Sequence, residues 1–189
     1  MPNAENQVVS AAKEFYSVIV QRLKNADGVH AETAITAAAR MAGTFLLRSF
    51  NLPIQALTPG AAVLSDAANE KGPMLIETLG RTLDAMGIAI NPNANEVGDA
   101  QPKISVLQTQ ELLEDALIAV QKKYALNQEE AARGCALATA ILVRDCAGVL
   151  DVNVAFGLAA YGFVEGSKTV PWKPQAPAET QAKPWYKMW

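Results

Sequence analysis

Two segments of the chain, each long enough to form one helix, align with two later segments of the same chain. Residues 11–24 align with residues 111–124, and residues 31–50 align with residues 127–146. The identical pairs are Glu14 with Glu114, Val20 with Val120, Gln21 with Gln121, Ala42 with Ala138, Leu46 with Leu142, and Arg48 with Arg144. The sequence therefore predicts two similar halves, each built on one helix–turn–helix unit.

Apolar residues recur every three or four positions, which is the spacing of an α-helix with one buried face. The predicted helices cover residues 5–26, 31–50, 58–69, 74–86, 105–126, 127–146 and 151–165. The inward face is Val8, Ala12, Phe15, Ile19, Leu23 and Ala26 in the first helix, and Ile35, Ala38, Ala42, Phe45 and Ser49 in the second. Half of the residues are hydrophobic and only 6% are aromatic, so we expect closely packed, alanine-rich helices. The predicted fold is all-α, a bundle of about seven helices in two pseudo-repeated halves.

The chain divides into one helical domain and an extended C-terminal arm. Residues 1–166 form the domain, with half-repeats at about 5–87 and 104–166 and a polar linker at 88–103. Prolines interrupt the helical spacing in the arm, residues 167–189, which also holds all three tryptophans of the chain. An extended, polyproline-like conformation is therefore expected there.

Local residue patterns mark several helix ends. Ser105 with Gln108, and Asn127 with Glu130, have the spacing of a capping box. Thr58 followed by proline is typical of a helix start. Gly28 and Gly87 are placed to end helices in the left-handed conformation.

Charge and hydropathy exclude several classes of function. Residues 1–165 carry 12 basic and 18 acidic side chains, whereas residues 166–189 carry four lysines and one glutamate. An acidic body argues against nucleic-acid binding, which needs clustered Lys and Arg. No apolar stretch is long enough to span a membrane, and residues 1–9 lack the features of a signal peptide. We therefore expect a cytoplasmic protein that binds neither membranes nor nucleic acid.

Catalytic and metal-binding patterns find little support. The single histidine, His30, has no partner at a ligand spacing, and the two cysteines, Cys135 and Cys146, lie about 16 Å apart on one predicted helix. That distance also excludes a disulfide, so both are expected to be reduced thiols. No serine has a G-x-S-x-G context and no glycine-rich phosphate loop is present. No metal and no cofactor is predicted, and the sequence favours a non-enzymatic protein over an enzyme.

Three arginines are the polar side chains best placed to bind a ligand. Arg40 and Arg48 lie two turns apart on one predicted helix, and Arg144 is the repeat counterpart of Arg48. If they converge between the two halves, they predict a pocket for an anionic small molecule. The competing interpretation is structural, because a cation near a helix C-terminus is stabilised by the helix dipole and by nearby carboxylates such as Asp145.

The arm carries candidate interaction residues: Pro171, Trp172, Pro184, Trp185 and Trp189. Tryptophans are typical anchors of ordered contacts. The arm could fold back on its own domain, reach across to a second copy in a homodimer, or bind a separate protein that recognises proline-rich segments.

Two functions follow from these residues. The first is a non-enzymatic protein that acts by self-association, or by binding another protein, through its C-terminal arm. The alternative is a small-molecule binding protein or enzyme whose pocket between the halves is lined by Arg40, Arg48 and Arg144.

Overall fold

The structure, a computed structural model, describes residues 4–91 and 97–173. Regular secondary structure in these ranges is helical, which confirms the all-α prediction for the described residues. The helices are α1 (Ala4–Leu23), α2 (Ala31–Ser49), α3 (Asp66–Lys71), α4 (Pro73–Ala85), α5 (Val106–Lys123), α6 (Gln128–Cys146) and α7 (Val152–Ser167). None of them is long and apolar enough to cross a membrane.

Helix α2 lies at the centre of the fold. All of its residues from 33 to 48 are buried, because α7 and α6 pack extensively against it and α5 and α1 cover the remaining surface. The prediction of a single inward face on this helix is therefore wrong. Alanine, glycine and threonine occupy much of α2, and such small side chains allow neighbouring helices to approach from several directions.

The remaining helices enclose this central helix. Helix α1 packs on α6 and α5, and α4 packs on α6. Phe15 of α1 contacts Phe45 of α2, with ring centroids 6.2 Å apart. Leu75, Leu79 and Leu83 form the fully buried row by which α4 joins the same core.

Local capping interactions set the starts of α5 and α6 as predicted. The Ser105 side chain accepts a hydrogen bond from the Gln108 backbone, and the Gln108 side chain accepts one in return. Asn127 and Glu130 form the same reciprocal pair. Gly28 and Gly87 adopt the predicted left-handed conformation, with φ of 104° and 75°.

The predicted third helix, residues 58–69, is wrong over its first two thirds, residues 58–65. The helix begins only at Asp66, and Ser65 is its N-cap. Residues 60–63 instead form hydrogen bonds with the chain that follows α7. The Val63 amide donates to the Lys168 carbonyl at 2.7 Å, and the Val170 amide donates to the Ala61 carbonyl at 2.8 Å.

The first residues after α7 belong to the folded body. Val170 is fully buried in a small apolar cluster with Leu47, Ile54 and Val63. We name residues 168–173 the arm root. The arm was predicted to begin at residue 167, but Ser167 is the last residue of α7. Thr169 forms an antiparallel bridge with Ala62, so the arm root is hydrogen-bonded to the body and is not the polyproline-like segment predicted there.

The internal repeat stays a prediction. Aligned residues occupy different environments: Arg48 is buried whereas Arg144 is exposed, and Glu114 is buried whereas Glu14 is partly exposed. The sequence similarity therefore does not extend to equivalent roles for these four side chains.

Glu14 links α1 to the end of α5 and should make stability depend on pH. Its carboxylate accepts hydrogen bonds from Lys123 Nζ at 2.6 Å and Tyr124 Oη at 2.9 Å. The Lys123 bond is the main cause that lowers the pKa of Glu14 below 4.5. A carboxyl whose folded pKa is lowered stabilises the fold above its unfolded pKa, and this contribution is lost as pH falls through the folded value.

We therefore expect Glu14→Gln to lower the thermal unfolding temperature at neutral pH. The difference from the wild type should shrink as pH falls below 4.5. Glu70→Gln, at an exposed position on α3, serves as the control and should show no comparable change. A Glu14→Gln profile parallel to that of the wild type would contradict the assignment.

Candidate functional site

A row of polar side chains on α2 meets a second row on α5 in the interior. These six side chains, named here the polar layer, are Arg40, Thr44 and Arg48 on α2, and Thr109, Gln110 and Glu114 on α5. Residues four apart on a helix lie one above another, which aligns the three α2 side chains with each other and Gln110 with Glu114 on α5; Thr109 is adjacent to Gln110. All six are buried, so their polar atoms must find partners inside the protein.

Arg48 joins α2 to α5 and to the arm root. Its Nε and Nη2 both donate to Oε1 of Glu114, at 3.0 and 2.5 Å, and Nη2 also donates to the Lys173 carbonyl at 2.7 Å. Glu114 is only 2% exposed. Among the described residues its Oε2 has no hydrogen-bond partner. Burial raises the pKa of Glu114 above 4.5, although Arg48 acts in the opposite direction.

Arg40 joins α2 to α7 and to the segment before α5. Its Nε donates to Oε2 of Glu165 at 2.6 Å. Its Nη1 donates to the Ile104 carbonyl at 2.6 Å and to Thr109 Oγ1 at 3.3 Å. The guanidinium thus holds residue 104, at the end of the connection before α5, against α7.

Gln110 extends the polar layer to the arm root. Its Nε2 donates to Thr44 Oγ1 at 3.0 Å, and its Oε1 accepts the Trp172 amide at 3.0 Å. Lys173 adds an ion pair to Asp115, with Nζ and Oδ2 2.9 Å apart. The path of the chain as far as residue 173 is therefore fixed by interactions with α2 and α5.

The three arginines singled out in the sequence do not meet in one pocket. Arg40 pairs with Glu165 and Arg48 with Glu114, while Arg144 pairs with its neighbour Asp145 at 2.7 Å. Asp145 also accepts a hydrogen bond from Tyr16 Oη at 2.8 Å. Each guanidinium thus meets a carboxylate, which is the arrangement expected of structural arginines.

Two separate cavities are lined by buried arginines of α2. Arg40 lines a cavity of about 640 Å³ between residues 97–105 and the first half of α7. Arg48 lines a cleft of about 470 Å³ between the end of α2 and the start of α6, together with Glu129, Glu130 and Arg133. Both volumes lie in the range typical of small-molecule sites.

The candidate interaction residues of the arm fall into two groups. Pro171 is buried, whereas Trp172 is 41% exposed while its backbone is held by Gln110. Pro184, Trp185 and Trp189 lie outside the described residues. The described part of the arm therefore ends at Lys173, which is bound to Arg48 of α2 and Asp115 of α5.

The other candidates from the sequence have ordinary environments. His30 Nδ1 lies 2.9 Å from Thr33 Oγ1, and its Nε2 lies 3.3 Å from the Glu32 carboxylate. Both cysteines are free, and complete burial raises the pKa of Cys135 well above 9.0, which keeps it a thiol. Within residues 4–91 and 97–173, no three His, Cys, Asp or Glu side chains cluster as a metal would require.

Comparisons with known proteins assign no family. No protein-family model matches the chain, and no curated protein or solved structure matches it significantly.

The partners of Arg40 and Arg48 were missed in the sequence. Glu114 and Glu165 are distant from them along the chain, and neither was among the predicted partners, which included Asp145. A local signal was present, because Gln110 and Glu114 stand four residues apart on the same side of the helix as the buried Leu113 and Leu117. A polar pair on the inward side of a helix favours a buried polar contact.

Proposed function

We propose that the protein acts by association, and that the arm beyond residue 173 binds a second copy of the same chain. The observation that supports this proposal is the anchored arm root. Hydrogen bonds from Arg48 to the Lys173 carbonyl and from the Trp172 amide to Gln110 fix the point from which residues 174–189 depart. A fixed departure point lowers the entropy cost of placing the following residues on a partner.

Charge and composition support the same partner. Residues 174–189 carry Lys183, Lys187, Trp185 and Trp189, and the body is acidic. The exposed surface near the arm root includes Glu111 and Asp115 of α5. Lysines attracted to an acidic surface guide association, and tryptophans supply the apolar contact.

The alternative of one anionic pocket lined by three arginines receives less support. Each of the three guanidinium groups already pairs with a carboxylate. An anion entering between them would have to displace these carboxylates or lie beside them. Association through the arm requires no such rearrangement.

Removing residues 174–189 tests the proposal. We expect the full chain to be a dimer in light scattering coupled to size exclusion, and the chain ending at Lys173 to be a monomer. The cut must fall after Lys173, since a longer deletion removes Val170 from the apolar cluster and the Lys173 carbonyl from Arg48. The shorter chain should therefore keep its helical circular dichroism.

Point variants separate the role of the tryptophans from that of arm length. Trp185→Ala combined with Trp189→Ala should weaken the dimer, whereas the control Thr180→Ala combined with Gln181→Ala should not. Higher salt should weaken association, because the lysine contribution is screened. A monomeric full chain, or a dimer that survives the cut after Lys173, would overturn the proposal.

A further inference from the structure

The cavity beside Arg40 lies apart from the arm and has its own set of lining residues. Val97, Ala100, Pro102, Ile104 and Leu158 contribute carbon surface, while Arg40, Lys103, Ser105 and Tyr161 contribute polar groups. Cavities that bind small molecules combine mainly apolar walls with a few placed polar groups. This composition is the first observation that points to a ligand.

The Arg40 guanidinium has one nitrogen, Nη2, that is not engaged by the hydrogen bonds described above. Nε and Nη1 are engaged by Glu165, Ile104 and Thr109, but the structure records no hydrogen bond from Nη2 within the described residues. Arg40 is only 3% exposed, but its Nη2 is not completely buried. This nitrogen therefore retains contact with open space, and Arg40 lines the cavity.

The charges around the cavity match a single negative charge. Arg40 and Glu165 together form a neutral pair, and the exposed Lys103 adds one positive charge at the cavity wall. Tyr161 is 56% exposed, and the Glu165 carboxylate beside it raises its pKa above 10.0, so the phenol stays protonated at neutral pH with its hydroxyl directed to Glu165. Arg40, Lys103 and Glu165 together carry one net positive charge, which matches one negative charge on a ligand.

We infer that this cavity binds a small monocarboxylate with an apolar body. The carboxylate accepts from Nη2 of Arg40 and is attracted by Lys103, and the hydrocarbon portion contacts Val97, Ala100 and Leu158. Charged hydrogen bonds to a guanidinium are stronger than neutral ones. Removal of hydrocarbon from water supplies the remaining affinity.

The inference is tested by isothermal titration calorimetry of the full chain with octanoate. We expect saturable binding of octanoate and binding at least about tenfold weaker for octylammonium, which has the same apolar chain and the opposite charge. Ala100→Trp should abolish octanoate binding, because Ala100 is a partly exposed residue of the cavity wall and an indole there would occupy the space of the ligand. Arg40→Lys should weaken it by about tenfold, since the Nη2 donor is lost.

Lys103 is exposed, so we expect its substitution to leave the fold intact. Lys103→Gln should weaken octanoate binding about two- to fivefold, the range for a solvent-exposed charge pair, whereas Lys122→Gln on α5 should not change it. The inference is overturned if octanoate does not saturate, if octylammonium binds as well, or if affinity survives Ala100→Trp. The chain ending at Lys173 should bind octanoate normally, which separates this test from that of the arm.

Discussion

Replacing Gly166 with alanine should destabilise the protein by more than about 3 kcal/mol, at the upper end of overpacking effects. A Cβ at this position would overlap the Arg40 carbonyl oxygen and lie 2.8 Å from its carbonyl carbon. Both groups are helical backbone, so neither can rotate away. Helices α2 and α7 would have to separate, and the largest helix contact in the fold would be lost over part of its length.

The close approach of these helices is shared by two other glycines. A Cβ at Gly162 would lie 2.8 Å from the Thr36 carbonyl oxygen, and one at Gly43 would lie 2.6 Å from the Ser167 amide nitrogen. We therefore expect Gly162→Ala and Gly43→Ala to be destabilising as well. Each substitution acts on the same pair of helices.

Gly80 in the interior of α4 is the matched control. A Cβ there would meet no atom within 4 Å, so Gly80→Ala should stabilise the protein by up to about 1 kcal/mol through helix propensity. Urea unfolding followed by circular dichroism measures both variants. A Gly166→Ala protein as stable as the wild type would show that the two helices are not in backbone contact.

Removing the Arg48 guanidinium should cost about 3–5 kcal/mol, as expected when one partner of a buried ion pair is lost. In Arg48→Met, the Glu114 carboxylate and the Lys173 carbonyl both lose their donor. The double variant Arg48→Met with Glu114→Leu should regain most of this stability, because no unpaired charge is left in the interior.

The pH dependence of Arg48→Met has a defined sign. Burial raises the pKa of Glu114 above 4.5, so this carboxyl favours the fold below its unfolded pKa and the benefit is lost as pH rises through the folded value. Loss of Arg48 raises that pKa further. The destabilisation should therefore grow as pH rises from 4.5 to neutrality.

Arg144→Met is the control for this substitution, since Arg144 is the aligned counterpart of Arg48. Its guanidinium is about half exposed and pairs with Asp145, so we expect a loss below about 1 kcal/mol. Chemical unfolding at several pH values compares the three variants. Equal losses for Arg48→Met and Arg144→Met would contradict the buried role of the Arg48–Glu114 pair.

Features determined by neighbouring residues could be predicted from the sequence. The capping boxes at Ser105 and Asn127 and the glycine stop at Gly87 depend only on contacts within a few residues. For this reason the starts of α5 and α6 and the end of α4 were predicted to within a few residues. Gly28 does not end α1, which stops at Leu23, but lies in a turn closed on Asn25.

Features that depend on distant parts of the chain could not be predicted from the sequence. Thr58 followed by proline is typical of a helix start, but no helix begins there, because residues 60–63 form hydrogen bonds near Val170, more than 100 residues later. The burial of α2 on all sides depends on the arrangement of four other helices. An alanine-rich sequence does not indicate this, because alanine is compatible with both exposed and buried positions.

The candidate site shows the same division. Arg40 and Arg48 could be recognised as a pair from their spacing on one helix. Their carboxylate partners and the separation of their two cavities could not, because these depend on how α2, α5 and α7 assemble.

The central helix and its main neighbour lie far apart along the chain, and this has a consequence for biosynthesis. Helix α2 carries sixteen buried residues, yet α7 is translated more than 100 residues after it. A nascent chain that ends in the connection after α4 would therefore display an apolar helix without its principal cover, a state prone to aggregation. The two halves should mature as one cooperative unit, and neither should be stable when expressed alone.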